Sequence, residues 1–360
     1  MLETPLHDWH AENGARMVDF AGWHMPVQYS SIVDEHTAVR TQAGMFDIAH
    51  MGRVKFTGPD ACAFLDRIVT NNVAALEPGQ IRYALVCKED GGILDDVLVY
   101  RFEDFYMLVV NASNREKILT WIDGQKDDAD VTIEDLTTSW FMLAIQGPKA
   151  IEIAQPFVEA SIEGLKYYHG CETTAQGNYA IVTRTGYTGE DGCEIIVENQ
   201  NAVALWTALM DAGQSVGLKA AGLGCRDTLR LEAAMPLYGH ELDEQTDPYT
   251  AGLSFGVKLK AADFIGKEAV TASKARTDRL VRVGLELEGR RIAREETAIM
   301  LGDDTIGKVT SGTFSPTLQK SLSMGYVAKE HSAIGTELEV DLRGKRNAAT
   351  VVKLPFYKRA

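Results

Sequence analysis

Hydrophobic residues recur along this chain in short runs whose spacing changes between that of strands and that of helices. Residues 54–57 and 143–146 are each typical of a strand that ends at a Gly-Pro pair, and apolar positions at helical spacing follow each pair. The two pairs begin at Gly58 and Gly147, 89 residues apart. This repeated pattern predicts two related α+β units, and the absence of G-x-G-x-x-G disfavours a dinucleotide-binding sheet.

The remaining elements are predicted from alternation, turn residues and capping patterns. A capping box, Ser113 followed by Glu116, predicts the start of a helix, and a second helix is predicted at 202–212, ending at Gly213. Further strands are predicted at 83–87, 93–101, 106–110, 179–184 and 193–197. From residue 280 onward, short strands with turns at 302–304, 311–313 and 343–345 predict a small all-β barrel or sandwich.

Net charge divides the chain where this pattern changes. The 360 residues include 36 Lys and Arg and 51 Asp and Glu, a formal net charge of −15. Residues 276–360 hold 15 basic and 11 acidic residues, or +4, which leaves 21 basic and 40 acidic residues, or −19, for residues 1–275. We therefore predict a body at 1–277, with two lobes of which the first is interrupted by about 55–136, and a β-barrel domain at 278–360.

Several classes of protein are disfavoured by composition. The acidic total argues against nucleic-acid binding and against anionic membrane surfaces. No apolar run approaches the roughly 18–20 residues of a membrane helix, and no signal peptide is visible. The five cysteines are scattered without a C-x-x-C pair, and the eight histidines show no H-E-x-x-H spacing. We therefore expect a cytoplasmic protein with reduced thiols and no tight metal site.

Two adjacent carboxylates, Asp95 and Asp96, interrupt the apolar strand predicted at 93–101. Because side chains alternate faces along a strand, we expect Asp95 to point with Ile93 and Asp96 with Leu94, so that the pair does not form a close carboxylate dyad. A carboxylate is costly to bury without a partner, so one of them is a candidate functional group. An aspartate held by backbone N–H groups in the preceding turn is the alternative.

Glu194 and Arg226 lie beside glycine-rich segments. A lone carboxylate at Glu194 suits a ligand that presents adjacent N–H donors, such as an aminopyrimidinone edge, and an edge-strand glutamate in water is the alternative. Arg226 falls near the predicted start of a helix, where a cation is unfavourable for the helix dipole. We expect an anion or a ligand to hold it, with a surface arginine in water as the alternative.

Six segments, taken together and in this order, resemble the glycine cleavage T-protein family. They lie at 18–26 (VDFAGWHMP), 45–52 (MFDIAHMG), 91–100, 184–194, 222–232 and 310–316 (TSGTFSP). The resemblance covers essentially the whole chain. It implies an α+β fold: a multi-lobed, cloverleaf-like folate-binding body of mixed sheets and helices with a C-terminal all-β barrel. It also implies an aminomethyltransferase of glycine catabolism that transfers a one-carbon unit from aminomethyl-lipoyl H-protein to tetrahydrofolate and releases ammonia.

The same resemblance implies roles for particular residues. The catalytic aspartate of the family matches Asp96, and the cation that binds the folate tail falls at Lys358 or Arg359. The folate contacts of the family match Met51, Tyr83, Leu98, Tyr100, Asn111, Tyr187, Glu194 and Arg226. On this basis we expect Glu194 to bind the pterin edge and Arg226 to orient either Asp96 or the ligand.

Other functions within the same superfamily remain open from the sequence. One is a folate-dependent demethylase, and another is a folate-binding accessory protein of iron–sulfur assembly, whose K-G-C-Y-x-G-Q-E motif is absent from 257–267. For the aminomethyltransferase, the cluster of Arg290, Arg291 and Arg294 predicts a docking surface for H-protein, because H-proteins tend to be acidic. A solvated turn is the alternative for this cluster.

Overall fold

The computed structural model describes residues 1–261 and 263–359. The α-helices of this part of the chain are α1 (His7–Glu12), α2 (Ile32–Thr41), α3 (Ala61–Ile68), α4 (Arg115–Gly124), α5 (Ala150–Ala154), α6 (Ala202–Gly213), α7 (Leu223–Glu232) and α8 (Lys267–Ala275). None of these helices is long and apolar enough to span a membrane.

Strands make up most of the remaining regular structure. They are β1 (Arg16–Phe20), β2 (Trp23–Gln28), β3 (Gly44–Asp47), β4 (Gly52–Thr57), β5 (Ile81–Cys87), β6 (Ile93–Arg101), β7 (Tyr106–Val110), β8 (Thr132–Asp135), β9 (Trp140–Gln146), β10 (Gly170–Ala175), β11 (Asn178–Thr183), β12 (Gly192–Glu198), β13 (Lys219–Ala220), β14 (Leu280–Leu287), β15 (Ala298–Leu301), β16 (Asp304–Ser315), β17 (Lys320–Ala328), β18 (Glu337–Asp341) and β19 (Arg346–Val352).

Two sheets pack face to face at the centre of the body. One has the strand order β10-β11-β12-β9-β3-β13, and the other has the order β5-β6-β7-β4-β8. Alternation along β9 places Leu143 in the core beneath α5 and α6, whereas Met142 points to the opposite side. There it packs in one cluster with Tyr100 and Val109 of the five-stranded sheet. Since α3 and α4 cover the outer face of that sheet, the layers run helix, sheet, sheet, helix.

The C-terminal strands close into a barrel in the order β14-β17-β16-β15-β18-β19. Helix α7 joins this barrel to the body, because Leu231 packs against Leu322 and Met324 in a separate small cluster. The predicted fold of mixed sheets and helices followed by an all-β barrel is therefore confirmed, and the sandwich alternative is excluded. The predicted domain limits at 277 and at about 55–136 stay predictions.

Two local predictions about turns and caps were wrong. The turn predicted at 311–313 lies inside β16, where Gly312 is required because a Cβ there would approach the Ala293 carbonyl oxygen to 1.9 Å. The capping box at Ser113 does not form, since a short 3-10 turn precedes α4 and no side chain caps this helix. The neighbouring Asn114 instead points its amide at Asp95.

Candidate active site

Asp96 is held by two neutral hydrogen-bond donors. It lies on β6, half-buried, and faces the space between the two sheets. The Tyr83 hydroxyl donates to Asp96 Oδ2 at 3.0 Å, and Asn111 Nδ2 donates to Asp96 Oδ1 at 2.7 Å. No lysine or arginine of the described residues lies within 4.0 Å of this carboxylate. Its negative charge is therefore oriented but not neutralised.

Asp95 is completely buried behind Asp96. One oxygen accepts the Asn111 backbone N–H at 3.0 Å, and the other accepts Asn111 Nδ2 at 2.8 Å and Asn114 Nδ2 at 2.6 Å. The amide nitrogen of Asn111 thus contacts both carboxylates. The expectation that opposite faces keep the two aspartates apart is therefore corrected: they share one hydrogen-bond donor, although neither donates to the other.

Burial raises the pKa of both carboxyl groups, and the charge of Asp96 raises the pKa of Asp95 further. Two negative charges so close together in a low dielectric are costly, and a proton on either group relieves that cost. The two carboxyl groups are therefore expected to hold one proton between them over part of the pH range. Asp96, the less buried of the two, faces the space between the sheets.

The alternation predicted at the start of β6 was wrong. A β-bulge skips Leu94 in the pairing of β6 with β5. Leu94 packs in the same cluster as Val97, so that Ile93 rather than Leu94 shares a face with Asp96. The predicted grouping of Ile93 with Asp95 fails because the extra residue of the bulge, Leu94, reverses the alternation between the residues before it and those after it.

An apolar wall between the sheets contains three of the predicted folate contacts. Met51, Leu98 and Tyr100 belong to the cluster that both sheets share. Tyr100 is fully buried, yet its hydroxyl has no hydrogen-bond partner among the described residues. The Nδ1 atom of His50 is likewise buried without a partner there, and burial and the Arg226 guanidinium lower the pKa of His50 to about 3. His50 is therefore neutral and can donate or accept through that nitrogen.

Glu194 lies in the interior of the six-stranded sheet and not at an edge in water. It is 6% exposed on β12, between β11 and β9, and Thr185 Oγ1 donates to its Oε2. Burial raises the pKa of this carboxyl group. The Arg226 guanidinium lies 4.8 Å from the centre of the Tyr187 ring, whose hydroxyl donates to the Pro236 carbonyl. Arg226 makes no hydrogen bond to Asp96, and its two predicted roles, orienting Asp96 or orienting the ligand, stay predictions.

Tyr168 lines the same cavity as Tyr83 and was not among the residues predicted from the sequence. Its backbone φ is +61°, a strained conformation for a bulky residue. Its N–H donates to the Arg184 carbonyl at 3.0 Å and its carbonyl accepts the Ile81 N–H at 2.9 Å, so it joins the two sheets. Burial raises its pKa, and Glu194 and Asp96 are among the charges that raise it further. In the sequence Tyr168 is distinguished only by the adjacent Tyr167, and two neighbouring tyrosines indicate no particular function.

A cavity of about 700 Å³ opens beside these residues. Tyr83 and Tyr168 line it, so it reaches the residue that donates to Asp96. Its other walls include three cations and one 58% exposed aromatic ring, namely Arg82, Lys258, Lys260 and Phe255. The cavity therefore has cationic side chains on one part of its wall and, on another, the two tyrosines that lie beside the two-sheet interface.

The predicted docking arginines lie on the barrel domain. Arg290 packs over the Phe314 ring at 4.5 Å. Arg291 and Arg294 line a second cavity, which also contains Arg343, Lys345, Glu295 and Asp341. At the C-terminus, Arg359 Nη1 lies 3.5 Å from Asp191 Oδ1. The structure thus brings Arg291 and Arg294 together with further cations, while the choice of a tail-binding cation between Lys358 and Arg359 stays a prediction.

Comparison with known families accounts for almost the whole chain. The profile of the GCVT N-terminal domain matches residues 6–261, and that of the glycine cleavage T-protein C-terminal barrel domain matches residues 281–358. The chain belongs to the glycine cleavage T-protein family.

Individual relatives of this chain agree with the family assignment. Proteins called aminomethyltransferase from Streptomyces coelicolor and Rubrobacter xylanophilus are 47% and 49% identical to it over 100% of this chain and 98% and 95% of their own lengths. This chain superposes on the crystal structure of the glycine cleavage system aminomethyltransferase T from Bartonella henselae with a TM-score of 0.92 at 35% identity. The superposition covers 99% of this chain and 98% of the Bartonella henselae chain.

We expect the turnover of this chain to fall on acidification through a pKa above the ordinary range of aspartate. Burial raises the pKa of Asp96, so its charged form is lost at a higher pH than in water. Burial and the charge of Asp96 raise the pKa of Asp95 above that of Asp96, so Asp95 is neutral where Asp96 titrates. Asp95→Asn imitates this neutral form and should therefore leave the acid limb in place. The measurement is the pH dependence of kcat for both proteins. An acid limb that moves to lower pH in Asp95→Asn would show that Asp95 carries a charge while Asp96 titrates, against the order of the two pKa values.

Proposed function

We propose that this chain transfers the one-carbon unit of an aminomethyl group, carried on the lipoyl arm of H-protein, to tetrahydrofolate with release of ammonia, and that Asp96 is its catalytic residue. Its relatives at 46–49% identity are called aminomethyltransferases. The observation that carries the proposal is the arrangement of Asp96, whose two oxygens accept from Tyr83 and Asn111 while its charge stays unpaired.

The polar groups buried at the interface of the two sheets suit the hydrogen-bonding pattern of a reduced pterin. Such a ring presents amino and N–H donors on one edge and accepts hydrogen bonds elsewhere. Glu194 offers a buried carboxylate, while the Tyr100 hydroxyl and His50 Nδ1 are buried without partners in the described residues. We assign folate binding to Met51, Tyr83, Leu98, Tyr100, Asn111, Tyr187, Glu194 and Arg226. Tetrahydrofolate, when bound, supplies the nucleophilic nitrogen that accepts the carbon.

The residues around Asp96 suit a reaction in which positive charge develops. The methylene carbon becomes cationic as its bond to nitrogen or sulfur weakens, and a fixed carboxylate nearby stabilises that charge. Tyr83 and Asn111 orient the carboxylate in advance, so little reorganisation is needed during the reaction. The raised pKa of Asp96 also makes it a stronger base than an aspartate in water, able to hold a proton released during transfer.

We place this reaction in the cytoplasm. All five cysteines of the chain are free thiols in the structure, and three of them are buried. Burial raises the pKa of Cys87 and Cys193, which keeps both thiols protonated and unreactive. Free thiols throughout suit a reducing compartment, and the proposed partners are H-protein and a folate, with no nucleic acid and no membrane.

We propose that Arg290, Arg291 and Arg294 dock the acidic H-protein. Arg291→Glu combined with Arg294→Glu should raise the KM for H-protein about tenfold and weaken its salt dependence, because rim charges act mainly on encounter. Arg290 is left intact in this variant because it packs on Phe314. Steady-state kinetics over a range of salt concentrations provide the measurement, and kcat should stay near that of the unmodified chain.

Lys258→Glu combined with Lys260→Glu is the matched comparison, since these residues line the cavity beside Tyr83. If this variant raises the KM for H-protein and the double arginine variant does not, H-protein docks at the cavity rim and not on the barrel.

The direct test is an assay of the purified chain with aminomethylated H-protein and tetrahydrofolate. We expect ammonia and 5,10-methylenetetrahydrofolate in equal amounts, and no ammonia above background when tetrahydrofolate is omitted. Folate binding without ammonia release would overturn the proposal.

A further inference from the structure

The N-terminal segment and β2 bring three metal-ligating side chains together away from the site described above. His7 Nε2 lies 2.9 Å from His24 Nδ1 and 3.5 Å from Glu3 Oε1, and all three ligand atoms lie within 4.8 Å of one another. We propose that Glu3, His7 and His24 form a zinc site with a fourth position open to water.

The distances suit tetrahedral zinc. Zinc binds histidine nitrogen and carboxylate oxygen at about 2.0–2.2 Å, so two ligand atoms of a tetrahedral site lie roughly 3.3–3.5 Å apart. The separation of His7 Nε2 from Glu3 Oε1, 3.5 Å, lies in this range, and its separation from His24 Nδ1, 2.9 Å, lies about 0.4 Å below it. Two histidines and one carboxylate with an open position are also a ligand set that zinc adopts in proteins. Because His7 and His24 are half-buried and Glu3 is exposed, an ion can reach all three side chains from solvent.

The second ring nitrogen of His7 adds an independent argument. His7 Nδ1 lies 3.3 Å from Asp8 Oδ1, the contact that a metal-ligating histidine commonly makes with a carboxylate. When Nδ1 carries the proton toward Asp8, Nε2 presents a lone pair to the Glu3 carboxylate, and two acceptors face each other. A hydrogen bond accepted from the His24 ring leaves that opposition in place, whereas a metal ion among the three ligand atoms, like a proton on His7 Nε2, removes it.

The position of the site suggests what bound metal does for the fold. The backbone around the site is already paired, since the Leu2 carbonyl accepts the His24 N–H at 2.8 Å and the Leu2 N–H donates to the Gly22 carbonyl at 2.8 Å. A metal ion therefore fastens the N-terminal segment to β2 through side chains as well. The ligands come from positions 3, 7 and 24, a spacing that matches no short motif, which is why the sequence predicted no tight metal site.

The test uses the full chain, freed of metal with a chelator and titrated with Zn²⁺ and with Co²⁺ as a spectroscopic probe. We expect one equivalent to bind, tetrahedral Co²⁺ bands in the visible spectrum and a zinc-dependent rise in Tm. His24→Gln should weaken zinc affinity at least tenfold and abolish the rise in Tm. His24→Cys keeps a ligand at that position, so it should retain binding and separates ligand loss from misfolding.

His331→Gln is the matched control, because His331 also faces a glutamate, Glu330, at 3.6 Å but is in no three-ligand group of the described residues. It should bind zinc like the unmodified chain. Equal zinc affinities for the unmodified chain and His24→Gln, or octahedral Co²⁺ spectra in both, would overturn the proposal. These measurements involve neither folate nor H-protein, so their outcome is independent of the proposed transfer activity.

Discussion

Asp96→Asn is expected to lower turnover with aminomethylated H-protein by a factor of about 10²–10⁴, the range for loss of a positioned acid–base or charge-stabilising group. The substitution keeps the shape of the side chain and removes its charge. The Tyr83 hydroxyl can still donate to the oxygen of the new amide, whereas Asn111 Nδ2 then faces its NH2 group and loses an acceptor. The apparent affinity for tetrahydrofolate should change much less than kcat, because the lost interaction forms mainly in the transition state.

The measurement is tetrahydrofolate-dependent ammonia release, together with circular dichroism to establish that the variant folds. Asp104→Asn is the matched control: Asp104 is exposed and lies in the turn between β6 and β7, close in sequence to Asp96. It should keep full activity. Turnover of Asp96→Asn within a few-fold of the unmodified chain would show that Asp96 is not the catalytic residue.

Part of this site could be predicted from residues alone. Alternation from Asp95 onward correctly places Asp96, Leu98 and Tyr100 on one face of β6, because this depends only on the geometry of a single strand. The bulge at Leu94 could not be predicted, because it depends on the register between β5 and β6 and on the close approach of another segment. At Gly92 a Cβ would lie 2.0 Å from the Glu244 carbonyl oxygen.

Contacts between neighbouring strands and between the two sheets were also beyond prediction. Asn111 contacts both aspartates only because β7 ends beside the start of β6, and Tyr168 reaches the site only because its backbone joins the sheets. No periodic pattern encodes such contacts, since the partners lie far apart in the sequence. The family resemblance supplied Asn111 as a site residue, but neither its contact with Asp95 nor the involvement of Tyr168 and His50 followed from it.

A buried cluster around Glu232 connects the body, the barrel and the C-terminal segment. Arg40 Nη2 donates to Glu232 Oε2 at 2.8 Å, and His36 Nε2 lies 3.3 Å from Oε1. Ser315 of β16 donates to the same Oε1, and the Glu232 backbone carbonyl accepts the Tyr357 N–H at 2.8 Å. Because the carboxylate at the end of α7 contacts both α2 and β16, its charge contributes to how the barrel is held on the body, while the backbone of the same residue holds the C-terminal segment.

Glu232→Gln is therefore expected to lower the stability of the fold at neutral pH and to make that stability less dependent on acid pH. Burial by itself would raise the pKa of Glu232, but His36, Ser315 and Arg40 lower it to about 2 from its ordinary value of 4.5. Since the folded-state pKa is the lower one, this contribution to stability is fully present above about pH 5 and is lost as the pH falls toward 2. A shift of this size corresponds to roughly 3 kcal/mol.

The measurement is the free energy of unfolding from urea titrations at several pH values between 3 and 7, a window defined by the lowered pKa of Glu232. Glu232→Gln should lose about 3 kcal/mol at pH 7 and less at pH 3, because in acid the unmodified chain has itself lost much of the contribution. Glu288→Gln, at an exposed position on the barrel, should follow the unmodified chain throughout. If Glu232→Gln and the unmodified chain lose stability in parallel as the pH falls, the Glu232 carboxylate does not contribute in the way that its contacts with Arg40 and Ser315 indicate.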